Sequence, residues 1–319
     1  MFFRYYIYFL KCKNTLPLQH QKNNLHLLIM TRRDFIKFMA AAMAATAVGV
    51  NLNSCSESNG KKRLIFFFTG TGNSLFVAKE IGGQLISIPQ ALKHEDLTYN
   101  ADEIGIVCPL YGHTPPNQVR EFLKRAKLNA PYKFVVQTYG ARKCNAVEIF
   151  DALAQKEGIK FDYLTTIIMV DNFLVSHDID EEIRMEKHID ENLAQIKADI
   201  SEQKHWMQPV TEEERQQHWE RYGHDFESYS YQNPQRTFRV ERNLCVGCGA
   251  CVKVCPKSNW RFSNNGVSVD GDCQMCFACI NNCPQKAIKL NGREANPNAR
   301  WRHPKVTLQE LQRANHVFA

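Results

Sequence analysis

Eight of the twelve cysteines lie between Cys245 and Cys283, in two blocks that share one spacing. The first is Cys245-Val-Gly-Cys248-Gly-Ala-Cys251-Val-Lys-Val-Cys255-Pro256, and the second is Cys273-Gln-Met-Cys276-Phe-Ala-Cys279-Ile-Asn-Asn-Cys283-Pro284. Each reads C-x2-C-x2-C-x3-C-P. Thiolates separated by two residues on a tight turn can reach three corners of one iron–sulfur cubane, while the fourth, a helical turn onward, reaches the neighbouring cubane. The spacing therefore assigns Cys245, Cys248, Cys251 and Cys283 to one [4Fe–4S] cluster, and Cys273, Cys276, Cys279 and Cys255 to a second. Gly247 and Gly249 permit the tight turn, and Pro256 and Pro284 redirect the chain after it. Ala287-Ile288 supplies apolar cover. A structural zinc site would use two CxxC pairs rather than triplets followed by Cys-Pro.

A second motif lies upstream. The apolar run Leu64–Phe68 leads directly into Thr69-Gly70-Thr71-Gly72-Asn73-Ser74, after which helical spacing begins. Backbone amides of such a loop, with a helix N-terminus behind them, form an anion site, and the hydroxyls add donors. No Lys follows the glycines, so the loop does not suit a nucleoside triphosphate. Leu75 stands where a dinucleotide fingerprint needs its third glycine. The loop resembles the flavodoxin phosphate loop, which implies FMN. On that resemblance Pro109–Pro116, with Tyr111 and Gly112, is the second flavin loop, and Thr138-Tyr139-Gly140 the third. Tyr111 and Tyr139 are the candidate stacking partners of the isoalloxazine. His113 and the other scattered histidines read as surface residues, and Cys108 and Cys144 as unpaired thiols.

These residues need a scaffold. Apolar runs at Leu64–Phe68, Glu103–Cys108, Lys133–Thr138 and Tyr163–Val170, with a weaker one at Leu85–Ile88, read as buried parallel strands. Helical stretches at Ser74–Ile81, Asn117–Lys127 and Asn145–Glu157 separate them. A last helix is expected over Ile183–Ile200, with Ile189, Leu193, Ile196 and Ile200 on one face. The alternation predicts an α/β flavodoxin-like doubly wound parallel sheet over residues 62–202, followed by a small α+β two-cluster ferredoxin domain over 238–290. Residues 203–237, rich in Trp and Tyr, read as a linker helix and loop packed between the two, with partner docking as the alternative. In the extension 291–319, Thr307-Leu308-Gln309-Glu310 has the form of a capping box.

The N-terminal 1–55 reads as an address. Thr31-Arg32-Arg33-Asp34-Phe35-Ile36-Lys37 has the form of a twin-arginine export signal. The Ala-rich run Phe38–Val50 is too short for an ordinary membrane span. Leu52-Asn53-Ser54-Cys55 resembles a bacterial lipobox, which implies cleavage before Cys55, acylation of that cysteine and attachment to a membrane facing the periplasm or cell exterior. Residues 1–29 precede the basic pair as a Phe/Tyr-rich overhang, and Met30 is the expected start.

Together, the loop and the cysteine blocks resemble the flavodoxin–ferredoxin fusion family over residues 62–312. Val170-Asp171-Asn172-Phe173 and the His303-Pro304 region also resemble it, whereas Gly140-Ala141-Arg142-Lys143 lacks the paired glycines of the family's third loop. The resemblance implies electron transfer coupling FMN to two [4Fe–4S] clusters, with redox proteins as partners. An FMN-dependent reductase fed by the clusters, or an iron–sulfur subunit with a vestigial flavin site, are the alternatives. The 319 residues, 44% hydrophobic and 23% charged, suffice for a buried core. The net charge of +7 forms no basic stripe interleaved with aromatics, so nucleic-acid binding is excluded.

Overall fold

The computed structural model describes residues 52–53, 60–223 and 234–316, all within a compact unit that begins at Val50. The arginine pair, Met30 and Cys55 lie outside the described residues, as do Phe226, Tyr229 and Tyr231 of the expected linker. Among the described residues no helix is long and apolar enough to cross a membrane.

The sheet is built from β1 (Arg63–Phe67), β2 (Gln84–Ser87), β3 (Glu103–Pro109), β4 (Tyr132–Tyr139), β5 (Tyr163–Ile168) and β6 (Trp206–Met207). Its order is β2-β1-β3-β4-β5-β6, all parallel, with Leu52–Asn53 added antiparallel beside β2. The chain leaves β1 through α1 (Asn73–Ile81) to one side and returns through β3 on the other. That reversal opens a crevice at the strand C-termini.

Alternation along β1 explains both layers. Ile65 and Phe67 pack with Leu75 and Val77 of α1, and with Leu193, Ile196 and Ile200 of α4 (Ile189–Ser201). Leu64, Phe66 and Phe68 pack with Val119, Phe122 and Leu123 of α2 (Asn117–Arg125), and with Val147 and Phe150 of α3 (Ala146–Lys156). Two buried faces require apolar residues at both parities of a strand, which is why these runs read as continuous.

Two expectations change. The helix foreseen from Ile183 begins only at Ile189, because His188 adopts a left-handed conformation (φ 47°) and Ile183 is 51% exposed. Within 203–237 the expected linker helix is α5 (Glu212–Tyr222), opened by a Thr211–Glu214 capping box and packed toward the strand C-termini, and the change is that β6 joins the sheet.

The cysteine-rich part pairs β7 (Phe238–Val240) with β10 (Ile288–Leu290) and β8 (Trp260–Ser263) with β9 (Gly266–Val269). The short helices α6 (Ala250–Val254) and α7 (Ala278–Asn281) follow the two cysteine turns. Its core, with Phe238, Trp260, Phe277, Ile280, Ile288 and Trp301, also takes in Val170, Leu174 and Ile179. Val254 and Ala278 belong to the core of the sheet itself. The C-terminal α8 (Leu308–Asn315) carries the expected capping box and packs Leu311 and Ala314 on the α1 face.

Candidate functional site

A cavity of about 240 Å³ opens in the crevice between β1 and β3. Thr69–Thr71, Asn73 and Ser74 line it from one side, Tyr111 and Gly112 from the second loop, and Thr138, Tyr139 and Gly140 from the third. No side chain caps the N-terminus of α1, so its first-turn amides remain available to an anion, with the helix dipole behind them. Thr69 Oγ1 accepts from the Gly72 amide at 3.0 Å, and Thr71 Oγ1 accepts from Asn172 Nδ2 at 2.5 Å. Both hydroxyls keep their protons to donate. Ser74 shares a bond with Thr138 (2.8 Å). Asn73 is held at both ends, by Val170 O (3.0 Å) and Trp301 Nε1 (2.9 Å), and so clamps the loop. These residues fit a phosphate ester joined to a planar aromatic ring.

The second loop is a two-residue reversal. Tyr111 and Thr114 exchange backbone bonds of 2.9 and 3.3 Å across Gly112 (φ 61°) and His113 (φ 64°). Two left-handed residues in succession are the type I′ signature. The turn sends His113 inward: it is 9% exposed, not a surface residue, because α5 covers it. His113 Nδ1 lies 3.3 Å from His218 Nδ1, and Nε2 lies 3.6 Å from the Cys144 thiol. Burial first, then His218, Arg142 and Arg221, pull its pKa down to about 4, so the ring is neutral. Burial raises the Cys144 thiol. Cys108 is buried under α2 and α3, and both cysteines are free thiols.

Gly140 lets the chain after β5 approach. A Cβ there would meet the Asp171 side chain at 2.3 Å. Lys187 Nζ donates to Gly140 O (3.4 Å) and pairs with Glu182 (2.9 Å), both nearly buried. Burial pushes Glu182 up, but bonds from Lys187 and the Asp171 amide outweigh it and hold its carboxyl below the ordinary value.

The eight cysteines gather around two further cavities. One is lined by Cys245, Cys248, Cys251 and Cys283, the other by Cys255, Cys273, Cys276 and Cys279. The fourth cysteine of each block thus stands with the triplet of the other. Among the described residues no three His, Cys, Asp or Glu converge on one ion-sized point. Burial pushes Cys251 up to about 12 and Cys273 up to about 11, and raises Cys255, Cys276 and Cys279 as well. Cluster assembly must therefore release protons from these thiols. Amides of Asn259, Met275 and Ala287 donate to the sulfurs of Cys255, Cys273 and Cys283 at 3.3–3.4 Å, one of the levers on cluster potential. Gly247 and Gly249 take the left-handed conformation foreseen for them (φ 66° and 71°).

Sequence reasoning missed His177, Arg221, Tyr222, Met275 and Phe277 of the first cavity, and it flagged the segments of His113, Arg142 and Asp171 without giving those three side chains a place in it. Asp171 and Asn172, noted in the sequence as the segment after the last strand, line the cavity as the loop ending a parallel strand. Met275 and Phe277 could not have been found, since they arrive from the cysteine block by tertiary packing.

Paired cysteine-lined cavities of this kind define a [4Fe–4S] electron-transfer protein. Residues 237–284 match the model of the 4Fe-4S dicluster domain. The chain is 34% identical over 82 residues to a ferredoxin of Pyrobaculum islandicum, covering 24% of this chain and 76% of that protein, and it belongs to the ferredoxin family through this C-terminal part. It is 28% identical over 82 residues to the thiosulfate reductase electron transfer subunit PhsB of Salmonella typhi, covering 23% of this chain and 42% of that one. It is 39% identical over 57 residues to pyruvate synthase subunit PorD of Methanocaldococcus jannaschii, covering 17% and 66%.

Proposed function

We propose that this protein transfers electrons between FMN, bound in a flavodoxin-like domain, and two [4Fe–4S] clusters. The observation that carries the flavin is the strand order β2-β1-β3-β4-β5, with an uncapped, hydroxyl-rich loop leaving β1 at its switch point. Thr69–Ser74 would hold the phosphate, and Tyr111 and Tyr139 would flank the ring. FMN supplies exchange of one or two electrons, and each cluster exchanges one. The crossed sets, Cys245/Cys248/Cys251/Cys283 and Cys273/Cys276/Cys279/Cys255, would ligate the two clusters. The chain's own work is to exclude water from the sulfurs and hold the three cofactors at fixed spacing.

Anaerobic purification with quantification of iron, sulfide and FMN tests this. The expected content is about eight irons and about one FMN per chain. Full iron with no flavin would leave an iron–sulfur carrier only.

We further propose export by the twin-arginine route and a lipid anchor at Cys55, on the strength of the sequence motif alone. Mass spectrometry of the mature protein should find acylated Cys55 as its first residue. An unmodified peptide spanning 50–60 would refute the anchor. Its partners would then be redox proteins outside the cytoplasm.

A further inference from the structure

The two cysteine blocks are sequence repeats, yet they solve the same backbone problem differently. Block one places Gly247 and Gly249 at its two left-handed positions. At the equivalent positions block two has Met275 (φ 56°) and Phe277 (φ 54°). A side chain in that conformation is strained, and such strain persists where the side chain has a use. Both side chains line the cavity of the Thr69–Ser74 loop. Between them, the Cys276 carbonyl approaches that loop so closely that a Cβ on Gly70 would stand 2.4 Å from it. Gln118 and Gln274 hold this contact in register through amide bonds of 3.0 and 2.7 Å, and Gln118 also donates to Pro256 O at 3.2 Å. Cys248 of block one, by contrast, is exposed, and its neighbour Val246 is 67% exposed.

We infer that Met275 and Phe277 are contact residues of the flavin, and that the Cys255/Cys273/Cys276/Cys279 cluster is the one that exchanges electrons with it. The inference rests on the FMN reading above. The Cys245/Cys248/Cys251/Cys283 cluster is then the outer one, meeting the partner at exposed Cys248. Cys251, Cys255 and Cys279 are buried in one shared core, so the two cluster sites adjoin. One electron crosses per step: the donor cofactor is oxidised by one, the acceptor reduced by one, and no protein bond forms or breaks.

The test uses full-length protein purified anaerobically, with clusters and FMN counted. Paramagnetically shifted cysteine β-proton resonances are compared with and without FMN. Those of Cys255, Cys273, Cys276 and Cys279 should move on FMN binding, and those of the other four should stay. Met275→Gly supplies the residue block one uses, so iron and sulfide should remain at the wild-type level while FMN binds about tenfold more weakly, the worth of roughly one buried side chain. FMN bound with the Cys245, Cys248, Cys251 and Cys283 resonances moving instead overturns the cluster order, and unchanged affinity in Met275→Gly overturns the Met275 contact; both leave the flavin reading intact. Wild-type protein with full clusters that binds no FMN overturns both.

Discussion

Gly70 is where the Thr69–Ser74 loop and the cysteine block touch, and its hydrogen side chain is what permits it. Gly70→Ala would drive a methyl into the Cys276 carbonyl, a backbone atom with little freedom to retreat. Overpacking of this kind costs about 1–3 kcal/mol. Gly292→Ala is the control, since nothing lies within 4 Å of its Cβ position. Urea unfolding should show the first loss and no loss in the second. His303 offers a pH signature. It stacks on Phe76 at 4.0 Å, its amide donates to Thr71 O, and its Nδ1 accepts from the Lys305 amide. Burial first, then Lys305 and Lys79, lower its pKa to about 4. Because the folded value lies below the ordinary 6.5, the unfolded chain takes up the proton first as pH falls. Stability is therefore unaffected above about pH 6.5, falls between about 6.5 and 4, and levels below that. After allowance for partial solvent contact the loss is up to about 2 kcal/mol. His303→Phe keeps a stacked ring without the titration, so its unfolding free energy should fall less than the wild type's from pH 6.5 to 4.

At the scale of elements, α8 is a strap that fastens the Thr69–Ser74 loop to the cysteine block. Asn315 Nδ2 donates to Thr69 O (2.9 Å) and Val254 O (3.2 Å), joining the loop to α6. Lys79 pairs with Glu310, and Ser87 donates to Ala314 O. Thr307 starts the strap by accepting from the Glu310 amide while Glu310 accepts from the Thr307 amide. Thr307→Ala removes the hydroxyl that accepts from the Glu310 amide and leaves the backbone amide of residue 307 donating to Glu310, for about 1 kcal/mol. Hydrogen exchange in 308–316 should quicken several-fold, with the sheet unchanged. The capping box and the strands were legible because each is a local pattern: a cap needs four residues, and a doubly buried strand needs apolar residues in succession. The role of α8 was not, since its partners Thr69 and Val254 lie far off in the chain. The start of α4 was misplaced because Ile183, an apolar residue just upstream of the Ile189–Ile200 stripe, is exposed rather than part of it. His113 was misread because its burial is imposed by α5, a helix inside the expected linker. At the cavity, the loop glycines were visible as a motif, but Met275 and Phe277 look like filler between cysteines until the two parts pack.

Over the whole molecule, the cavity and the cysteine block share walls, so what fills one must affect the other. Cys276 packs against both layers of the sheet, and the residues flanking it face the cavity. The Gln118–Gln274 pair is buried, and each bond contributes only about 1 kcal/mol net, yet leaving it unmade costs about 1–3 kcal/mol. The seam is thus specific more than strong, and it is disrupted when the cysteine turn loses its shape. Burial raises all four thiols of the second set, so taking up a cluster converts buried neutral thiols into metal-bound thiolates at that turn. Removing the clusters should therefore loosen the Met275–Phe277 wall and weaken FMN binding by about tenfold, a coupling of about 1.4 kcal/mol, within the usual range for linked sites. Linkage requires the converse: FMN must raise the affinity for the cluster by the same factor, so flavin-loaded protein should surrender iron to a chelator more slowly. Fluorescence titration of FMN against cluster-loaded and cluster-depleted protein measures the first half, and iron release with and without FMN the second. Equal FMN affinity in the two forms would mean that the shared wall transmits nothing, and that the two halves are joined in the chain but independent in their chemistry.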